Sequence, residues 1–152
     1  MLIEYDLELD GELHPILVKE SEFEHEGVFH SSKEIVDIVN KCYHLNHKAE
    51  EYVLLLVVNT KTKPLGVFKV AKGTINRCLL SPREVLLRAL LCGGSYFFLI
   101  HNHPSGDVKP SSEDILVLHN MKQAGELIGI EMQDYLIVGG TSYWSSHESL
   151  CN

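Results

Sequence analysis

The sequence lacks the features that would place it among membrane or secreted proteins. No apolar run in its 152 residues approaches the roughly 20 residues needed to span a bilayer. Residues 1–10 alternate apolar and acidic side chains, with neither a basic start nor an apolar core, so they do not resemble a signal peptide. We therefore expect a cytoplasmic protein that does not contact membranes.

The sequence also lacks paired cysteines and clusters of basic residues. None of its four cysteines has CxxC spacing, which argues against a zinc ribbon or a thioredoxin-type redox site. The net charge is −8, and residues 1–33 hold nine acidic residues against two lysines. Because this surface would repel a polyanion, nucleic acid is not an expected partner.

The composition that remains is that of a soluble globular protein, with 45% hydrophobic and 22% charged residues. Alternating residues on either side of Asp10-Gly11 predict a β-hairpin, which we assign to an acidic N-terminal extension over residues 1–30. A second domain is expected over residues 31–152. Its strands are expected at residues 52–58, 65–71, 74–80, 95–100, 128–138 and 141–145.

Three helices are expected between these strands. Ser31, followed by Glu34, indicates a capped helix over residues 32–46. Ser81-Pro82 begins the second helix, which ends at Gly93-Gly94. The third begins at Ser111 and has Gly125 as its candidate end, and its buried face is expected to carry Ile115, Leu118 and Met121. Strands and helices without regular alternation predict an α+β (mixed α/β) fold with a largely buried central sheet.

The strongest chemical pattern is His101-x-His103, followed after seven residues by Ser111-x-x-Asp114. Residues i and i+2 at a strand end point to the same face, so both imidazoles can reach one cation. The intervening prolines and glycine can turn the chain back and bring Asp114 toward the histidines. Two histidines and one aspartate would leave the fourth position of a catalytic zinc ion open.

Two patterns that suggest metal binding also have simpler interpretations. Ser111-x-x-Asp114 fits an N-terminal capping pattern that needs no metal. His44-x-x-His47 could bind a stray metal, although a solvated helix end explains it more simply. The conjunction of two histidines after a buried strand with an acid just beyond a turn favours a metal site at His101, His103 and Asp114.

The stretch from His101 to Asp114 resembles the JAMM motif of MPN-type zinc metalloproteases, and more narrowly that of RadC-like proteins. Supporting stretches are Gly73-Thr-Ile-Asn76, Ser81-Pro-Arg-Glu84 and Gly125-Glu-Leu-Ile-Gly-Ile130, so the resemblance covers about residues 31–149. It implies the JAB/MPN fold, a mixed sheet flanked by helices that is related to the cytidine-deaminase fold. It also implies one zinc ion per chain, held by His101, His103 and Asp114.

The resemblance further implies hydrolysis of amide or isopeptide bonds in a peptide or protein substrate. In that mechanism a glutamate acts as general base for a zinc-activated water. Glu50 and Glu51 are both candidates, and the family register (a glutamate, one residue, an apolar run and a Thr-Lys turn) selects Glu51. The matching family position gives Ser111 the role of donor to the developing oxyanion.

The chain departs from the family pattern at a few positions. Asp134-Tyr135 stands where the family commonly has Asp-His, and Ser81 where it often has histidine. Family members often carry a helix-hairpin-helix segment ahead of the catalytic domain, whereas the first segment here is acidic and strand-like.

The alternatives to a zinc-dependent hydrolase are a catalytically silent JAB-fold interaction module and a DNA-repair-associated RadC-like protein. A zinc deaminase is disfavoured because the Pro-Cys-x-x-Cys ligand pair is missing.

Overall fold

The computed structural model describes residues 1–73 and 80–150. Within these two ranges, the centre of the fold is one mixed sheet of seven strands in the order β2-β1-β4-β3-β5-β6-β7. Neighbouring strands are antiparallel except for the parallel pairs β1/β4 and β5/β6. The strands are β1 (Leu2–Leu9), β2 (Pro15–Phe23), β3 (Tyr52–Val58), β4 (Pro64–Lys72), β5 (Tyr96–Asn102), β6 (Glu131–Gly139) and β7 (Ser142–Ser145).

In the part of the chain that the structure describes, four helices flank this sheet, which confirms the predicted fold class. They are α1 (Ser32–Tyr43), α2 (Pro82–Leu91), α3 (Ser112–Ile128) and the short α4 (Ser146–Leu150), and a 3₁₀ turn covers Leu45–His47. Alternate residues of β3 point to opposite faces and pack into two separate hydrophobic clusters. One cluster lies under α2 and α3, and we call that side the α2/α3 face; the other, under α1, is the α1 face.

The predicted N-terminal hairpin is present, and β1 joins it to the rest of the sheet. Glu4 of β1 pairs with Val67 of β4, and Leu2 is fully buried in the cluster on the α1 face. The hairpin is therefore part of the single sheet. A domain boundary at residue 30 stays a prediction.

The first two helices begin where their capping residues predict. The Ser31 hydroxyl accepts a hydrogen bond from the Glu34 amide, and the Ser81 hydroxyl accepts one from the Glu84 amide. The helix predicted over residues 32–46 ends earlier, because His44 adopts a left-handed conformation (φ 51°) and a separate 3₁₀ turn follows. His44 and His47 are exposed, as expected for a solvated helix end.

Two predictions for α3 were wrong. Ile115 is 38% exposed, because the buried face instead runs through Asp114, Val117, Met121 and Gly125. Gly125 does not end the helix, which continues to Ile128 and is capped by Gly129 with φ 87°.

The glycine at position 125 has a packing role instead. A Cβ atom there would lie 2.5 Å from the Ile130 carbonyl oxygen. The return of the chain into β6 therefore requires glycine at this position. The strand predicted at residues 74–80 lies outside the described residues, except for Leu80, which is not in a strand.

Within residues 1–73 and 80–150, none of the helices combines the length and apolar character of a membrane span.

Candidate metal centre

The two histidines of the His-x-His pattern lie side by side at the end of β5, on the α2/α3 face. His101 is the next-to-last residue of β5, and His103 follows that strand directly. Their ring centroids are 4.8 Å apart, with the rings nearly perpendicular. The His103 amide donates to the Val138 carbonyl of β6 (2.8 Å), which extends the parallel β5/β6 pairing by one residue beyond Asn102. The strand end thus holds both imidazoles on one side, as the i, i+2 spacing predicts.

Each imidazole uses its Nδ1 atom to contact a backbone carbonyl. His101 Nδ1 lies 3.1 Å from the Tyr52 oxygen, and His103 Nδ1 lies 2.7 Å from the Asp107 oxygen. A carbonyl oxygen only accepts hydrogen bonds, so both Nδ1 atoms must carry the proton. In the neutral rings this leaves the lone pairs on the two Nε2 atoms, which both point toward Asp114.

Asp114, in the first turn of α3, completes the group. Its Oδ1 lies 3.6 Å from His101 Nε2, and its Oδ2 lies 3.1 Å from His103 Nε2. Potential ligand atoms of the three residues lie within 4.8 Å of one another. The side chains of His101 and Asp114 are almost fully buried, whereas that of His103 is 13% exposed. With both imidazoles neutral and Asp114 ionised, three groups that can only accept hydrogen bonds at these atoms converge, an arrangement that a cation between them would stabilise.

The Asp114 carboxylate also caps α3, so the capping interpretation is confirmed and is compatible with the metal interpretation. Its Oδ2 accepts from the Ser111 amide (2.8 Å) and the Ser111 hydroxyl (2.9 Å), and the Asp114 amide donates back to that hydroxyl (3.1 Å). Its Oδ1 accepts from the Tyr135 hydroxyl at 3.1 Å. Both carboxylate oxygens are therefore held by donors from the chain itself.

The pKa values of these groups reflect burial and hydrogen bonding. Burial lowers the pKa of His101, although the Tyr52 carbonyl and the Asp114 charge oppose that shift. For Asp114, burial favours the neutral acid, but the hydrogen bonds from Ser111 and the nearby His101 outweigh it and lower the pKa. Burial, with the adjacent Asp114 charge, raises the pKa of Tyr135 well above its usual value. At neutral pH the site therefore holds neutral His101, ionised Asp114 and a protonated phenol.

A close backbone contact shapes the loop between the histidines and α3. Gly106 has φ 83°, and its amide donates to the His103 carbonyl at 3.0 Å. A Cβ atom at Gly139, the last residue of β6, would lie 2.9 Å from the Gly106 carbonyl oxygen. Glycine at both positions lets the loop turn tightly against the sheet end and return to Ser111.

The two candidate glutamates have different surroundings. Glu50 is exposed, and its carboxylate lies 3.4 Å from the Lys72 ammonium group. Glu51 is partly buried. Its negative charge partly opposes the lowering of the His101 pKa by burial, and it adds to the raised pKa of Tyr135. The carboxylate of Glu51 is therefore close enough to the histidine group to act on it electrostatically.

Asn102, between the two histidines, braces the backbone on both sides of Glu51. Its buried side chain accepts from the Tyr52 amide at 2.7 Å and donates to the Glu50 carbonyl at 3.0 Å. These bonds continue the β3/β5 contact past Val53 and His101, the final residue pair of the ladder. This role could not be predicted from the sequence, because residue spacing does not show where an amide side chain reaches.

Tyr135 is the site residue that sequence reasoning missed. It is fully buried on β6, and its hydroxyl contacts Asp114. The available signal was the departure from the family's Asp-His at Asp134-Tyr135. In the loop after His103, Asp107 contributes its backbone carbonyl to the His103 imidazole, and the Ser105 hydroxyl accepts from the Asp107 amide.

Comparison with known proteins supplies a family context for this geometry. The model of a family described as "RadC-like JAB domain" matches residues 29–150. A UPF0758 protein of Streptococcus suis is 36% identical over 106 residues, covering 70% of this chain and 43% of that protein. One from Thermotoga maritima is 35% identical over 113 residues (74% and 51%), and one from Streptococcus gordonii is 35% identical over 137 residues (90% and 59%). The chain spans about half the length of these relatives.

Proposed function

Because the chain belongs to the RadC-like JAB-domain family, we propose that it is a zinc-dependent hydrolase of amide or isopeptide bonds. The observation that carries this proposal is the convergence of His101, His103 and Asp114. The charge of Glu51 also acts on the pKa of His101. A carboxylate and two imidazole nitrogens suit zinc, and three protein ligands are typical of its catalytic sites.

The donor set fits a divalent cation on physical grounds. The two backbone carbonyls hold the imidazoles in the tautomer that ligates through Nε2. The lowered pKa values of His101 and Asp114 keep both in the deprotonated form that binds metal. A bound zinc ion would supply Lewis-acid activation of a water molecule and of the substrate carbonyl.

Glu51 is the proposed general base. Its carboxylate would accept a proton from the attacking water and deliver it to the leaving amine, which requires a fixed position beside the histidines. The Asn102 amide provides that constraint by holding the backbone on either side of Glu51.

Ser111 is the proposed donor to the oxygen that becomes negative. Its hydroxyl donates to Asp114 in the structure, but the Ser111 amide donates to the same carboxylate oxygen. The hydroxyl can therefore turn toward a substrate oxygen while the carboxylate keeps one bond from Ser111. The Ser111 residue is exposed, as a group that meets substrate must be.

The test is a turnover assay on zinc-loaded protein with two probe sets: linear peptides, and peptides joined through a lysine ε-amide. We expect new amine ends detected by mass spectrometry with at least one set, and none with the His103→Ala variant. Stoichiometric zinc with no cleavage of either set would contradict a hydrolase of these bonds and favour the silent interaction module.

A further inference from the structure

Tyr135 contacts the metal-ligand candidate Asp114 from the central sheet. It lies on β6 opposite Leu99 of β5, on the α2/α3 face, and it is 0% exposed. Among the described residues, its hydroxyl forms one hydrogen bond, to Asp114 Oδ1 at 3.1 Å. A buried hydroxyl therefore directs its single donor at the carboxylate that also lies between the two histidines.

This contact complements the hold of Ser111 on the same carboxylate. Ser111 binds Oδ2 from the N-terminus of α3, whereas Tyr135 binds Oδ1 from the central sheet. Donors at both oxygens fix the rotation of the carboxylate plane about the Cβ–Cγ bond. With only the Ser111 bonds, the carboxylate would keep one fixed oxygen and could swing the other away from His101 Nε2.

We propose that Tyr135 is a positioning residue that orients the Asp114 carboxylate for metal binding through its phenol hydroxyl. The inference rests on the proposed function only through the metal site. It assigns to a tyrosine the hydrogen bond that metal-ligating carboxylates usually receive from a neighbouring donor. Loss of such a bond typically weakens metal affinity by about tenfold to a hundredfold.

The direct test is the zinc affinity of the Tyr135→Phe variant, measured by competition with a chromophoric chelator at pH 7.5. This change removes one oxygen and keeps the ring that packs in the core. We expect zinc binding about tenfold to a hundredfold weaker than in the unaltered protein. The visible spectrum of the Co²⁺-substituted variant should also change, because the ligand field depends on the carboxylate orientation.

Tyr43→Phe is the matched control. Tyr43 is likewise a buried tyrosine, but it lies on the α1 face, on the other side of the sheet. The Tyr43→Phe substitution also removes a buried hydroxyl, but it should leave the zinc affinity within about twofold of that of the unaltered protein. Equal affinity and an unchanged Co²⁺ spectrum in Tyr135→Phe would overturn the positioning role.

A measurement that keeps the hydroxyl at position 135 covers the case in which Tyr135→Phe fails to fold. With 3-fluorotyrosine at position 135, the ¹⁹F resonance should move when zinc is added, because the acceptor carboxylate gives up electron density to the metal. A label at position 43 should not move. An unmoved resonance at 135 in zinc-loaded protein overturns the inference, whereas failure of the unaltered protein to bind zinc overturns the proposed function instead.

Discussion

Replacing Asp114 with asparagine separates the two roles of this carboxylate, as a helix cap and as a metal ligand. The variant removes the charge and puts an amide group where one oxygen accepted hydrogen bonds from Ser111 or Tyr135. A buried donor left without its acceptor costs roughly 1–3 kcal/mol. For a domain of this size, each kcal/mol lowers the melting temperature by about 2–4 °C, so the metal-free variant should melt roughly 2–12 °C lower.

The response to zinc then distinguishes the roles. At a free zinc concentration of about 100 times Kd, binding stabilises the native state by roughly 2.7 kcal/mol, which raises the melting temperature by roughly 5–11 °C. We expect that increase in the unaltered protein and its loss in Asp114→Asn. The assay is thermal unfolding followed by circular dichroism, with and without zinc.

Asp134→Asn is the matched control for this experiment. Asp134 is equally buried, but it accepts hydrogen bonds from Ser145, Ser146 and the His147 amide, none of which belongs to the histidine group. Its replacement should lower the melting temperature without zinc and leave the zinc-induced increase intact. If Asp114→Asn retains the full zinc-induced increase, Asp114 is a helix cap only, and the reasoning for a three-residue metal site fails.

Three further predictions concern the base, the packing of α3 and the effect of pH. Glu51→Gln should keep zinc affinity while reducing hydrolysis at least about a hundredfold, whereas Glu50→Gln should retain near-normal turnover. The reverse ranking would show that the family register used to select Glu51 is wrong by one residue. Gly125→Ala should lower the free energy of unfolding, measured in urea, by roughly 1–3 kcal/mol, because the added Cβ would lie 2.5 Å from a backbone oxygen. The control Gly11→Ala, whose Cβ would have nothing within 4 Å, should change that free energy little. Equal effects of the two variants would contradict the packing role of Gly125. Because the pKa of His101 is lowered in the folded protein, the unfolded chain binds a proton that the native site resists. The contribution of neutral His101 to metal-free stability is therefore complete above about pH 6.5, and it is lost as pH falls through the folded-state pKa. His101→Gln should therefore show a smaller loss of unfolding free energy between pH 7 and 5 than the unaltered protein, and identical slopes would contradict the shift.

The sequence predicted those parts of the fold that depend on local signals. The apolar run of β3 has the predicted bounds, and the Ser81-Pro82 pair begins α2 as expected. The His-x-His spacing predicted two imidazoles on one face, because alternation along a strand is a backbone property.

Features that depend on tertiary contacts were not predictable in the same way. Helical spacing suggested Ile115 for the buried face of α3, but Asp114 and Val117 are buried instead, and Asp114 contacts the histidines. Gly125 was expected to end the helix because glycine commonly does so. Its packing role was not predictable, because the carbonyl that it contacts belongs to Ile130, beyond the end of the helix. The hydrogen bond from Tyr135 joins β6 to α3, and no local pattern contains both partners.

The most direct test of the metal centre is an anomalous-scattering map from crystals grown with zinc, recorded on both sides of the zinc absorption edge. We predict one peak per chain, about 2.0–2.1 Å from the Nε2 atoms of His101 and His103 and about 2.0–2.2 Å from an Asp114 oxygen. A map with no peak among these three side chains at saturating zinc, or with Asp114 still bonded only to Ser111 and Tyr135, would contradict the account.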